Sequence, residues 1–252
     1  MSFAETQILH RNSLPSLAYR VQEGAGPTVL WLCGFHSDMS GTKVVHLSEW
    51  AARTGQAFVA FDYSGHGQSE GAFADGTITA WRDDALAILD SSIEGDIVLC
   101  GSSMGGWMAL LSALARPEQV KGILLIAPAP DFTERLMWQG FTPAIRAEIM
   151  DTGQWVRPSA YGDEPYPITK ALIESGRKHL LLDQPIALQC PIRILHGQQD
   201  PDVPWTLSLE LAEGLTSPDV EITLIKNGDH RLSTAHNLAT LEQTLTQLLA
   251  SV

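Results

Sequence analysis

The stretch that most constrains this chain is "DIVLCGSSMGGWMALLSALARP", residues 96–117. A short apolar run passes through a cluster of glycines and serines directly into an apolar helical pattern that stops at Pro117, with no linker between them. A strand and a helix that are both apolar nearly all round must be covered on several sides. That demand is met by a parallel sheet with helices on both faces.

The rest of the chain repeats the alternation. Extended segments near 6–11 and 16–22 flank "NSLPS" and read as an opening hairpin. Strands are expected at 28–33, 57–62, 96–100, 121–130, 191–197 and 220–227, which with the hairpin makes about eight. Helices are expected at 42–55, 78–93, 104–116 and 204–214, with a closing helix whose inner face is Leu238, Leu241, Leu245, Leu248 and Leu249. From Asp131 to about Pro185 the alternation breaks. This stretch holds Pro143, Pro158, Pro165 and Pro167, shows no clear strand, and suggests helices near 132–150 and 168–181. The expectation is an α/β core from residues 1–130 and 186–252, carrying a small, largely helical cap at 131–185. In such sheets ligands bind beyond the carboxyl ends of the strands, so the residues just after strands carry the functional question.

"GSSMG" fits G-x-S-x-G in one frame, which puts Ser103 at the apex of a strand-to-helix turn. The flanking glycines allow strained backbone and close approach. The small residues Gly105, Gly106, Ala109 and Ala113 let the helix lie tightly on the sheet. A glycine- and serine-rich turn also occurs as plain structure, so the motif needs partners. A serine hydroxyl is a poor nucleophile until a base takes its proton, and that base must be held in one tautomer by a third group. "ILHGQQDPDVPW" follows the strand at 191–197 and "LIKNGDHRLS" contains the end of the next, supplying an acid and then a histidine in the expected order. The base is His230, since His236 falls in the closing helix. The acid is Asp200 or Asp202.

An oxyanion formed at Ser103 needs backbone donors. Met104 N–H, at the start of the helix, is one. The other is expected from Phe35, where "CGFHSDMSGTK" turns after the first parallel strand and Gly34 permits close approach. "FDYSGHGQSEG" supports that loop from the next strand, with Asp62 and His66 in structural roles, as are His36 and His196. Cys33 and Cys100 read as buried free thiols, and no cysteine or histidine spacing calls for a metal or an organic cofactor.

Taken together, "GFHSDMSGTK", "FDYSGHGQSEG", "GSSMGGW", "CPIRILHGQQDPDVPW" and "GDHR" resemble the α/β-hydrolase superfamily. Within it they are most similar to the mitochondrial acyl-protein (palmitoyl-protein) thioesterases that also cleave acyl glucuronides. The resemblance runs from about residue 28 onward. It implies a serine esterase or thioesterase with Ser103, Asp200 and His230 as the triad, and Phe35 and Met104 as the oxyanion donors. The usual form of the acid loop in these hydrolases is strand, His-Gly, two residues, Asp, two residues, Val-Pro. That form selects Asp200 and leaves Asp202 to cap a helix or face solvent. The substrate would be a small acyl ester or thioester, or an acylated protein.

Other readings stay open. The same machinery serves peptidases, perhydrolases and carbon–carbon hydrolases, and a receptor that has lost turnover would keep the same pocket. Trp138, Phe141, Trp155, Tyr161 and Tyr166 could wall an acyl pocket or equally form the cap's own small core. Arg135, Arg146 and Arg157 read as solvated surface rather than a carboxylate site. A net charge of -13 argues against nucleic acid or anionic lipid as a partner. No apolar run reaches the ~20 residues of a membrane span. The start lacks a secretory apolar stretch or an Arg-rich, acid-free leader, and three cysteines fit a reducing compartment, so the expected location is the cytoplasm.

Overall fold

The computed structural model describes residues 5–157 and 165–252. In chain order it holds β1 (Gln7–Arg11), β2 (Leu14–Gln22), β3 (Ala25–Leu32), α1 (Thr42–Thr54), β4 (Gln56–Phe61), α2 (Ile78–Ser92), β5 (Ile97–Ser102), α3 (Met104–Ala115) and β6 (Val120–Ile126). A π-helical stretch (Thr133–Trp138), α4 (Pro143–Thr152), β7 (Gln154–Arg157), β8 (Tyr166–Thr169) and α5 (Lys170–Gly176) follow. The chain then returns to β9 (Ile192–Gly197), α6 (Thr206–Gly214), β10 (Val220–Ile225) and α7 (Ala235–Leu249).

Eight strands form one sheet in the order β1-β2-β4-β3-β5-β6-β9-β10. The β1–β2 and β2–β4 pairs are antiparallel, and all other neighbours run parallel. β5 lies mid-sheet between β3 and β6, and all six of its residues are buried. Central, doubly covered strands read as continuous apolar runs, which is why "IVLC" shows no alternation. The parallel arrangement delivers the chain ends of β3, β5, β9 and β10 to the same edge, where the loops carrying Phe35, Ser103, Asp200 and His230 begin. No helix among the described residues is long and apolar enough to cross a membrane.

The stretch between β6 and β9 departs from expectation. The single helix read over 132–150 is two: Thr142 accepts the N–H of Ile145 and caps α4, whose first residue is Pro143. Where no strand was expected, β7 and β8 form a two-stranded antiparallel pair, with Trp155 opposite Ile168. Gly153, at φ 91°, ends α4 and turns the chain into β7. Four-residue strands are too short for alternation to declare itself, and Pro167 disguises β8. The expected helix near 168–181 is α5 followed by one 3-10 turn, Arg177–His179.

Candidate active site

Ser103 is the single residue between β5 and α3, with φ 55° and ψ −118°. This is a strained conformation for a residue with a side chain, costing on the order of 1–3 kcal/mol. Contacts on every side hold it. Its N–H donates to the Ile126 carbonyl at 2.9 Å, and its own carbonyl accepts from Gly106 (2.9 Å) and Ala129 (3.1 Å). A Cβ on Gly105 would sit 2.0 Å from the Leu32 carbonyl oxygen, and one on Gly101 2.2 Å from that of Gly105. The glycines of the motif are therefore a packing requirement: α3 touches the strands through backbone.

The loops after β9 and β10 meet through another such pair, since a Cβ on Gly197 would fall 2.2 Å from the Gly228 carbonyl oxygen. That contact brings Asp200 and His230 together. His230 Nδ1 lies 2.7 Å from Asp200 Oδ2, and His230 Nε2 lies 3.1 Å from Ser103 Oγ. With its proton on Nδ1 facing the carboxylate, the imidazole presents a lone pair on Nε2, which accepts from the serine hydroxyl.

Asp200 has a fully buried side chain, while that of His230 is 19% exposed. The Asp202 and Val203 N–H groups donate to Oδ1 at 2.8 and 2.9 Å, and Oδ2 also faces His196 Nε2 at 3.2 Å. Burial by itself raises the carboxyl pKa, but the hydrogen bonds from His196, His230 and Val203 outweigh it and hold the group well below the usual carboxylate range. Asp202 is exposed and contributes its backbone to Asp200. Asp200, Asp202 and His230 do bring one donor atom each within 4.8 Å of one another. The Asp200 oxygens, however, are already filled by four donors, which disfavours a cation there.

The turn after β3 carries Phe35. A Cβ on Gly34 would sit 3.3 Å from the Ser102 carbonyl oxygen and 3.5 Å from Ser103 Cβ, so the turn lies against the elbow. Among the described residues, neither Phe35 N–H nor Met104 N–H donates to a protein acceptor. The Phe35 ring packs edge-on against Phe73, Trp81, Phe132 and Tyr166, with centroids 5.0–5.8 Å apart. It is thus a packed aromatic on a turn that lies against the serine.

Histidine and aspartate from the loop after β4 pin this turn. His36, itself at φ 56°, donates its N–H to His66 Nε2 at 3.3 Å, while His66 Nδ1 donates to the Ser64 carbonyl at 3.2 Å. Burial pushes the His66 pKa down to about 4, so the ring is neutral and accepts. Asp62 takes the Met39 N–H at 2.7 Å and the Gln68 N–H at 2.8 Å. The sequence places His36, His66 and Asp62 in structural roles without saying what they hold. What they hold is the Phe35 turn.

A cavity of about 390 Å³ opens at Ser103, walled by Phe35, Tyr166, His230, Arg231 and Lys43. Tyr166 reaches it from β8 and stacks on the His36 ring, with centroids 5.1 Å apart. Trp138, Phe141 and Trp155 lie away from the cavity. Trp138 carries two guanidinium groups against its ring, Arg146 at 5.6 Å and Arg177 at 4.8 Å from the centroid. Phe141 packs on Trp155 at 5.3 Å, and Tyr161 lies outside the described residues. Arg135 is ion-paired with Asp183 and Glu210, and Arg146 donates to the carbonyls of Trp138 and Gln139. Cys33 and Cys100 are buried, and burial pushes both thiols far up, away from the nucleophilic thiolate.

Residues 27–169 match the family described as serine aminopeptidase, S33. The mitochondrial palmitoyl-protein thioesterase ABHD10 of Mus musculus is 40% identical, covering 98% of this chain and 83% of its own length. Its Homo sapiens counterpart is 37% identical over 96% of this chain and 79% of its own. Among solved structures, a protein from Agrobacterium vitis S4 matches with TM-score 0.93 and 40% identity, covering 97% of this chain and 98% of its own. The mouse alpha/beta hydrolase domain-containing protein 10 matches with TM-score 0.91 and 39% identity, covering 98% and 99%.

The Mus musculus and Homo sapiens thioesterases overturn the expected cytoplasmic location, because they are named as mitochondrial proteins. The free thiols behind that expectation suit any reducing compartment, and an import signal is read by receptors rather than by the fold.

Proposed function

The chain belongs to the serine aminopeptidase S33 family of α/β-hydrolases, and from that premise we propose that it hydrolyses acyl thioesters and esters through an acyl-enzyme on Ser103. The family description names an aminopeptidase. The relatives that align over 98% and 96% of this chain are palmitoyl-protein thioesterases, which favours an acyl carbonyl with a thiol or alcohol leaving group. An acylated protein is the substrate class that follows.

In this reading Ser103 Oγ attacks the acyl carbonyl as His230 Nε2 takes its proton. Asp200 stays ionised, fixes the imidazole tautomer and stabilises the imidazolium. The tetrahedral oxyanion is met by the N–H groups of Phe35 and Met104, which owe no bond to another group among the described residues. His230 returns the proton to the leaving sulfur or oxygen. In the second half, water gives a proton to His230, attacks the acyl carbon, and Ser103 departs with that proton. Residues 131–185 act as a cap on the core of residues 1–130 and 186–252. Supporting this, Tyr166 walls the cavity, and Phe132 packs on Trp107 of α3 at 5.7 Å.

The observation that carries the reading is the unbroken hydrogen-bond line Ser103–His230–Asp200, ending on a serine held at positive φ. Its test is hydrolysis of matched thioesters and oxyesters from acetyl to palmitoyl, with Ser103→Ala as control. Long-chain thioester cleavage lost in the variant is expected. Equal rates in the variant and wild type would refute it.

A further inference from the structure

We infer that His196 is a positioning residue for the proposed reaction: its Nε2–H is the fourth donor on Asp200, and it sets how strongly that carboxylate holds His230. The inference rests on the reading of Ser103, His230 and Asp200 given above.

His196 is the penultimate residue of β9, and its side chain is fully buried. Nε2 faces two oxygens, Asp200 Oδ2 at 3.2 Å and the Val203 carbonyl at 3.1 Å. A backbone carbonyl cannot donate, nor can an ionised carboxylate, so the ring proton belongs on Nε2. Nδ1 then carries the lone pair and accepts from the Ser208 hydroxyl at 2.7 Å, from α6. Every polar atom of the ring is matched, with two partners from the β9–α6 connection and one from α6 itself.

The consequence lies at Oδ2, which two imidazoles share: His230 Nδ1 at 2.7 Å and His196 Nε2 at 3.2 Å. The second donor draws electron density from the oxygen that faces His230 and fixes the carboxylate plane. Without it, more negative charge faces His230, protonated His230 is favoured, and the carboxylate is freer to rotate. Among the described residues, the other charged or titratable groups around His230 are Asp202, Asp229 and Arg231 on the adjoining loops, His36 and Asp38 after β3, Lys43 of α1, and Tyr166 of β8. None of them is altered in the variants below, so a difference between variants belongs to residue 196.

The test compares His196→Leu, which removes the donor, with His196→Gln, whose amide restores an N–H near the Nε2 position. kcat/KM of each is followed against pH on a thioester substrate. For His196→Leu the acid limb moves up by about half to one pH unit and kcat falls about tenfold, while His196→Gln returns the limb toward wild type. A lost bond that mattered only to folding would lower the melting temperature and leave the limb in place, and that result overturns the inference. If His196→Leu does not fold, the ring proton is read directly in the wild type by long-range 1H–15N spectra. Nε2–H at His196 supports the inference, and Nδ1–H overturns it. Full activity of Ser103→Ala would instead refute the acyl-enzyme reading itself, so the two failures are distinguishable.

Discussion

The neutral imidazole of His66 gives the most informative perturbation, because it holds the Phe35 turn without facing the cavity. His66→Phe keeps the bulk among Phe73, Trp81 and Tyr63 but deletes the acceptor of the His36 N–H. The His36 N–H is only part-buried, so losing its bond costs about 0.5–1.5 kcal/mol, and the turn can relieve that by rotating. A complete loss of one oxyanion donor is worth about 2.7–4 kcal/mol in the transition state. The turn is also tied by Met39 N–H to Asp62 and by Ser37 N–H to the Gly34 carbonyl, so the loss should be partial. The expected result is a kcat lower by about 10- to 100-fold with KM nearly unchanged, since the interaction is made in the transition state. His66→Gln, which keeps an acceptor, should recover most of it. A kcat within about twofold of wild type for a well-folded His66→Phe would refute the argument.

The same residue makes stability depend on pH. Burial lowers His66 from 6.5 to about 4, so below pH 6.5 the unfolded chain binds a proton that the folded protein refuses. Its contribution is present above pH 6.5 and is lost as the pH falls toward 4, at most about 3 kcal/mol. Urea unfolding of the wild type should therefore weaken across that window, and His66→Gln should flatten the dependence. An identical slope in both would contradict it.

Three further outcomes follow. Asp200→Asn leaves the loop in place but lets His230 take the wrong tautomer, and kcat should fall by about 10³–10⁴-fold in steady-state assays. Gly105→Ala forces a Cβ to within 2.0 Å of the Leu32 carbonyl oxygen, so it should cost more than about 3 kcal/mol in denaturant unfolding or yield insoluble protein. Phe141→Ala removes half-buried packing on Trp155 away from the cavity, lowering stability by about 2 kcal/mol while KM for a palmitoyl thioester stays within about twofold.

What was legible in the sequence, and what was not, follows the range of the interactions involved. The β5–α3 turn is written in adjacent residues: an apolar run, glycines where backbone touches backbone, and a helical apolar pattern. The doubly wound sheet follows from the same alternation. Asp200 and His230 are placed by a local rule, that loops after parallel strands share one edge, and the structure has Asp200 within hydrogen-bond reach of His230, and His230 within reach of Ser103. The jobs of His66 and His196 depend on which backbone or carboxylate folds against each ring, and spacing does not encode that. In the segment between β6 and β9, strands of four residues carry too few positions for alternation to register, so the sequence suggests helix or loop where β7 and β8 lie. The aromatics there looked equally suited to a pocket or a small core. Phe141 and Trp155 meet each other, and Tyr166 alone among those described reaches the cavity. Compartment was the least legible feature, since buried free thiols suit more than one.

The most direct measurement of the central claim is to trap the intermediate. The protein is mixed with a palmitoyl thioester, quenched in acid within one turnover, and mapped by peptide mass spectrometry. One palmitoyl group is expected on Ser103, in the peptide spanning the β5–α3 turn, and none in Ser103→Ala. Acyl transfer to Ser102 or Cys100 with turnover intact in Ser103→Ala would contradict it.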